Sequence, residues 1–218
     1  MTRRTEENAG LLFVLSGPSG VGKGAVCREL LAGNPRLRLS VSVTTREPRR
    51  GEAEGKSYYF RSRAEFETMV QDGLLLEWAE VYGHFYGTPR LPVQDILAGG
   101  GDVLLEIDIQ GALKVREALP GCILIFVAPP SEAVVRERLA GRGSETPEVM
   151  ARRLACLGEE MGFLPRYDYA VVNDTVARAA AQVGAIMSAE HLRASRYRGW
   201  RAGNGKRGDT ADDERTAP

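Results

Sequence analysis

Cysteine is scarce in this 218-residue chain: Cys27, Cys122 and Cys156 are the three, scattered through apolar stretches. None stands at metal-ligand spacing from another, which argues against a structural metal site. They read as buried free thiols in a reducing compartment. Neither sign of charge is in excess, with 29 Lys plus Arg against 29 Asp plus Glu. Net charge therefore argues neither for nor against a nucleic-acid partner, and the arrangement of the arginines matters more than their sum. No apolar run approaches the length of a membrane span. The stretch Met1–Gly10 is polar and lacks the apolar core of a secretory leader. No internal repeat is visible. What remains is 43% apolar and 27% charged, the composition of a soluble globular chain. Its length suits one compact α/β domain with insertions.

The chain is organised around Gly17-Pro18-Ser19-Gly20-Val21-Gly22-Lys23. An apolar run, Leu11–Leu15, precedes it and a helical pattern, Ala25 to Leu31, follows. Strand, glycine loop and helix form the context of a phosphate-binding loop. Glycines let backbone N–H groups converge on phosphate oxygens without a Cβ in the way. The helix N-terminus adds partial positive charge, and Lys23 reaches the outer phosphates as a point charge. One part is absent. The residues after the lysine are Gly24 and Ala25, so no hydroxyl stands where the usual pattern has a Ser or Thr ligand for Mg²⁺. Mg²⁺ is then expected to be held mainly by phosphates and water, which suits its reluctance to dehydrate.

Periodicity and breakers give the rest of the plan. Strands are predicted at Leu11–Ser16, Ser40–Thr44, Tyr58–Phe60, Leu74–Ala79, Val103–Asp108, Cys122–Val127 and Tyr169–Val172. The continuous apolar run at Cys122–Val127 marks a parallel strand covered on both faces. Ser62 and Glu65 form a capping box for a helix carrying Phe66, Met69 and Val70 on one face and stopping at Gly73. Further helices are predicted after the glycine loop to about Gly33, near Leu91–Leu97, over Gln110–Leu119, from Ser131 through Leu139, after Thr146-Pro147, and from about Val176 to Tyr197. Gly141–Glu145 reads as a mobile loop. Residues 1–10 read as a flexible arm and the Gly-rich, charged tail at 196–218 as disordered. The expected fold is α/β, a parallel sheet flanked by helices with a small mixed β insertion at 40–90. Ligands on such sheets sit at strand carboxyl ends, where Ser16, Gly17, Asp108 and Asn173 fall.

Phosphoryl transfer asks a protein to align two phosphates, neutralise charge and exclude water. Arg46 and Arg49 lie three apart in a tight turn, suited to aiming two guanidinia at one phosphate. Tyr58 and Tyr86 offer phenols on adjacent strand edges. Glu77 ends an apolar strand that would desolvate it. A carboxylate accepts two parallel N–H bonds, and the N1–H and N2–H₂ edge of guanine supplies that pair. Ser42 and Thr88 are placed to serve the guanine O6 and neighbouring groups. Arg138, Arg142 and Arg153 flank the Gly141–Gly143 loop, where arginines on a hinged segment stabilise transferring charge. Taken singly, these signals have plainer readings. The turn is equally a solvated loop, Glu77 a surface residue on an edge strand, and the arginines a solvated basic helix face.

As a group they do not. Gly17–Lys23, Ser42–Arg49, Gly51-Glu52, Tyr58, Leu76–Ala79, Tyr86–Thr88, Ile107–Gly111, Pro129–Ser131, Gly141–Gly143 and Val172–Asp174 resemble the guanylate kinase family, in order, from about residue 11 to 195. The resemblance implies a P-loop kinase fold with a core (11–39, 91–130, 165–195), a GMP-binding region (40–90) and a helical lid (131–164). It implies the reaction ATP + GMP ⇌ ADP + GDP, with Mg²⁺ carried by ATP, dGMP as a further acceptor, and a cytoplasmic setting without nucleic acid or membrane partners. Oligomeric state is left open. By motif match, Arg46, Arg49, Tyr58 and Tyr86 hold the GMP phosphate, and Ser42, Glu77 and Thr88 read guanine. Asp108 sits beside the GMP site and orders the water shell of Mg²⁺ rather than binding it directly. Gly17, Pro18, Ser19, Gly20, Val21, Gly22, Lys23 and Gly24 cradle ATP, with Asn173 near the adenine. Lys23, Arg46, Arg138, Arg142 and Arg153 carry the catalytic charge. Glu106 stands where the family more often has Asp. Two alternatives share the fold. A kinase acting on ribose 1,5-bisphosphate would not need Glu77 with Ser42 and Thr88. A non-catalytic phosphopeptide-binding module tends to lose the loop glycines and lysine, which stand intact here.

Overall fold

The computed structural model describes residues 10–81, 83–140 and 147–196. The arm at 1–9, Tyr82, the loop that carries Arg142, the helix cap Thr146 and the tail from 197 lie outside the described residues. In chain order the elements are β1 (Leu12–Ser16), α1 (Lys23–Gly33), β2 (Leu37–Leu39), β3 (Val43–Thr44), β4 (Tyr59–Phe60), α2 (Arg63–Gln71), β5 (Leu75–Val81), β6 (His84–Pro89), α3 (Arg90–Ala98), β7 (Asp102–Glu106), α4 (Ile109–Ala118), β8 (Ile123–Ala128), α5 (Glu132–Ala140), α6 (Pro147–Gly162), β9 (Tyr169–Val172) and α7 (Val176–His191).

The main sheet has the order β2-β7-β1-β8-β9, every neighbouring pair parallel. Its central strand is buried throughout because helices cover both faces. Alternation divides the strand between two cores. Phe13 and Leu15 face α1 and α7 with Val26, Leu30, Val183 and Met187, while Leu12 and Val14 face α3 and α4 with Val93, Ala112 and Val115. The carboxyl ends of β1, β7, β8 and β9 thus open onto one rim.

The second sheet has the order β4-β3-β6-β5 and is mixed: β3 pairs parallel with β4 and antiparallel with β6, and β5 runs antiparallel to β6. Helix α2 covers it through Phe66, Met69 and Val70, stacked on Val43 and Leu75. The Ser62–Glu65 capping box forms as expected. Strand β5 carries a bulge between Leu75 and Glu77. Three consecutive residues, Leu75, Leu76 and Glu77, are buried in place of an alternating pattern, since a bulge re-aims the chain locally. Leu75 joins the core of the second sheet and Leu76 that of the main sheet. Helices α5 and α6 pack together through Val135, Leu139 and Leu157.

Three expectations are corrected. The strand at Ser40–Thr44 is two elements' worth of chain. Ser40 donates its N–H to Leu104 of the main sheet, whereas only Val43–Thr44 pairs in the second sheet, so residues 40–42 make the crossing between them. The short strand Leu37–Leu39, absent from the predicted set although Leu37 and Leu39 alternate with Arg38, is held by β7. The last helix ends at His191, six residues before Tyr197. Its packing residues run out at Met187 and Glu190, and Leu192 is 83% exposed, so no burial supports further turns.

Candidate active site

The glycine loop joins β1 to α1 over the rim. Gly17, Gly20 and Gly22 have φ of 137°, 81° and 94°, a region that side chains with a Cβ avoid. Gly22 is also the N-cap of α1, with no side chain to cap it, so the first-turn N–H groups face the loop. Lys23 turns back over the loop, donating to the carbonyls of Gly17 (2.6 Å) and Pro18 (3.1 Å). Burial pushes its pKa down, and the charges of Glu106, Glu160 and Asp108 oppose that shift. The ammonium thus sits in the field of three carboxylates.

The far side of the loop is clamped through one carbonyl. Val21 O accepts from Asn173 Nδ2 (2.8 Å) and Arg138 Nη1 (3.0 Å). Arg138 Nη2 also donates to Asn173 O at 2.9 Å. Arg138, expected on a solvated or hinged helix face, is instead braced against the loop's backbone. Asn173, expected near a nucleotide base, lies against the same carbonyl and is 1% exposed. Arg153 is half-buried on α6, close enough for its charge to act on Glu160.

Glu160 was not singled out by the sequence. Its Oε2 accepts the Ser19 N–H at 3.3 Å, so α6 brings a carboxylate to the glycine loop from 141 residues away. Burial raises its pKa, against the hydrogen bond from Ser19 and the charge of Lys23. The one local hint is its place on the flank of the apolar stripe made by Leu154, Leu157 and Met161.

The second sheet presents the other cluster. Arg46 is 10% exposed and held on several sides. Nη2 lies 2.9 and 3.0 Å from the two carboxylate oxygens of Glu52. Nε donates to Tyr86 Oη at 3.3 Å, and the guanidinium lies over the Tyr58 ring at 5.4 Å. Tyr58 and Tyr86 meet edge to face, their centroids 5.9 Å apart. Glu52 also accepts the Arg49 N–H at 2.8 Å. Burial works against its charge, but the Arg46 bond wins and holds the carboxyl below its ordinary range. Glu52 is a functional residue beyond the predicted set, although the 46, 49, 52 spacing places it on the turn with both arginines. The Arg49 side chain is exposed. Ser42 lies just before β3 and is tied by its carbonyl to Tyr59 N at 2.8 Å.

Glu77 is 6% exposed although β5 is the edge of its sheet, because α4 packs against that edge. Thr88 Oγ1 donates to Glu77 Oε1 at 2.7 Å. The threonine, expected to read a ligand, instead holds the carboxylate. Burial pushes the Glu77 pKa up to about 7, with Asp108 adding to the rise and Thr88 and Lys114 opposing it. Asp108 is the N-cap of α4, its Oδ1 accepting Gly111 N at 2.7 Å. Its charge acts on Lys23, Glu77 and Glu160 alike. Asp108 is thus the meeting point of the glycine loop and the second-sheet cluster.

Such a site can hold two anions, one on the glycine loop and one on Arg46 with its tyrosines, with a buried carboxylate beside the second. The family model described as "Guanylate kinase" matches residues 10–190. The guanylate kinase of Desulfitobacterium hafniense (strain Y51) is 49% identical over 191 residues, covering 88% of this chain and 96% of the relative. That of Symbiobacterium thermophilum is 52% identical over 187 residues, covering 86% and 89%. Among solved structures, a guanylate kinase from Anaplasma phagocytophilum superposes with a TM-score of 0.74 at 37% identity, covering 87% of this chain and 90% of that one.

Proposed function

The chain belongs to the guanylate kinase family, and from that premise we propose how its residues divide the work of ATP-dependent phosphorylation of GMP to GDP. The observation that carries the assignment is the buried Glu77 carboxylate, fixed by Thr88 and held at a pKa near neutrality. Its carboxylate accepts two parallel N–H bonds, and guanine offers two where adenine offers an acceptor, whereas Glu52, the other carboxylate of that cluster, is already engaged by Arg46. Arg46, Arg49, Tyr58 and Tyr86 take the acceptor phosphate. Ser42 and Thr88 complete the base pocket, Thr88 by orienting Glu77. The 40–90 region is then the acceptor-binding part, 131–164 the lid, and the three remaining stretches the core. dGMP is proposed as a further acceptor.

The glycine loop from Gly17 to Gly24 cradles the donor phosphates, and Lys23 exchanges a loop carbonyl for a phosphate oxygen. Arg138, Arg142 and Arg153 supply charge to the transferring phosphoryl group. Asn173 borders the adenine end and, with Arg138, stiffens the loop through Val21. A phosphate oxygen of GMP is already anionic, so catalysis is alignment and charge neutralisation, with no general base.

Among the described residues no cluster of acidic, His or Cys side chains has the spacing of a direct metal site. Ala25 offers no hydroxyl, and one Asp108 oxygen is engaged by Gly111. This donor set fits an Mg²⁺ that arrives on the nucleotide, its waters accepted by the free oxygen of Asp108 and by Glu106, which lies beside Gly24. The bound ion supplies charge neutralisation between the transferring phosphates. The setting proposed is cytoplasmic, with ATP and GMP as the partners.

A coupled ADP-release assay with ATP and Mg²⁺ tests the assignment against GMP, AMP, UMP and ribose 1,5-bisphosphate. Turnover with GMP well above the others is expected. Turnover with the ribose phosphate instead would keep the fold and overturn the acceptor.

A further inference from the structure

Glu77 is seated between two supports, and only one of them is a hydrogen bond. Its Oε1 is held by Thr88, a fully buried residue. Its Oε2 rests against the first turn of α4. A Cβ built on Gly111 would fall 2.7 Å from that oxygen, closer than real Cβ atoms approach, and 3.2 Å from Cδ, a tight contact.

Neither wall can retreat. The Gly111 backbone is pinned by its N–H to Asp108 Oδ1 at 2.7 Å. Two residues before it and one after, Ile109 and Ala112 are 6% and 0% exposed and fill separate cores. Across the gap, Leu76 is wedged into the main core. A methyl group at position 111 therefore has one way to be accommodated, which is rotation or withdrawal of the Glu77 carboxylate. Gly111 does not lie at positive φ, so its glycine is not required by the backbone. A glycine in the first turn of a helix costs stability relative to alanine, and here the close approach of the carboxylate accounts for it.

We propose that Gly111 is a positioning residue of the acceptor site: its bare Cα forms the seat that aims the Glu77 carboxylate, and that aim sets the discrimination of guanine from purines lacking the 2-amino group. The inference rests on Glu77 as the base reader. A carboxylate turned away from its two-point geometry keeps at most one N–H partner. GMP then loses more than IMP, which lacks the second donor from the start.

The test compares the full chain with Gly111→Ala, Glu77→Gln, Glu77→Ala and the double variant Gly111→Ala/Glu77→Ala, using GMP and IMP as acceptors. Gly111→Ala is expected to raise the GMP KM about tenfold and to lower the GMP-to-IMP ratio of kcat/KM by about the same factor, with the ATP KM unchanged. In the Glu77→Ala background the same substitution should leave acceptor kinetics alone and raise Tm, because the methyl then meets the Ile107 side chain at an ordinary contact distance of 3.4 Å. Loss of GMP selectivity in Glu77→Gln with none in Gly111→Ala would overturn the role of Gly111 and spare that of Glu77. Unchanged GMP kinetics in Glu77→Gln would overturn both. An equal fall for GMP, IMP and ATP in Gly111→Ala would make the glycine merely structural. If Gly111→Ala does not fold, a double variant with a Tm at or above that of Glu77→Ala sustains the proposal, and one that also fails overturns it.

Discussion

Replacing Glu77 with Gln should make the ligand-free protein more stable at alkaline pH while crippling its recognition of GMP. Burial, then the charge of Asp108, lifts the carboxyl from 4.5 to about 7. A carboxyl with a raised folded-state pKa favours folding fully below its unfolded value, and that contribution is lost as pH rises through the folded value. At 1.36 kcal/mol per pH unit, ionising Glu77 in the folded protein costs at most about 3 kcal/mol by pH 8.5. A glutamine is neutral throughout and still accepts the Thr88 hydroxyl. For a domain of this size, 3 kcal/mol corresponds to a Tm difference of roughly 6–12 °C. Differential scanning fluorimetry of both proteins without nucleotide, at pH 5 and pH 8.5, reads it directly. The two melting points should lie close together at pH 5 and separate at pH 8.5, with Glu77→Gln the higher. Equal separation at both pH values, or a less stable variant at pH 8.5, would refute the reasoning. GMP supplies the donors that the ionised form wants, so its KM in the native enzyme should rise as pH falls below about 7, approaching tenfold per unit.

Three further outcomes follow from the site. Lys23→Ala should lower kcat by about a thousandfold or more, while GMP binding measured by calorimetry stays within about twofold of native. Glu52→Gln loosens Arg46 and the turn carrying Arg49, and should raise the GMP KM by about tenfold, leaving the ATP KM unaltered; an unaltered GMP KM would count against Glu52 as their organiser. Glu160→Gln removes a negative charge from the Ser19 N–H and should lower the ATP KM severalfold, a loss of ATP affinity being the contrary result.

Much of this was legible in the sequence where the signal is local. The glycine loop, the Ser62–Glu65 box and the apolar run of β8 each follow from spacing within one element. The same holds for Arg46, Tyr58, Tyr86 and Glu77 as candidate residues, whose chemistry is carried by their type. What was not legible depends on neighbours distant in the chain. Thr88 serves Glu77 because a bulge shifts β5 by one residue against β6. Arg138 reaches Val21 across 117 positions and Glu160 reaches Ser19 across 141. The alternation of Leu37, Arg38 and Leu39 does not say which edge the segment joins, and β7 supplies it. Pairing and packing of that kind carry no local pattern, and the same is true of the seat that Gly111 makes for Glu77.

The bulge in β5 bears on how the chain can be taken apart. With Leu75 in one core and Leu76 in the other, a single peptide bond stitches two hydrophobic interiors together, and Lys114 on α4 fastens the strand two residues on by its bond to Trp78 O. Excising residues 40–90 would pull Leu76 from among Val93, Val103 and Leu105 and leave a hole in the remainder. The second sheet is thus no cassette to be grafted or swapped between scaffolds, and its unfolding and that of the parallel sheet should be one event.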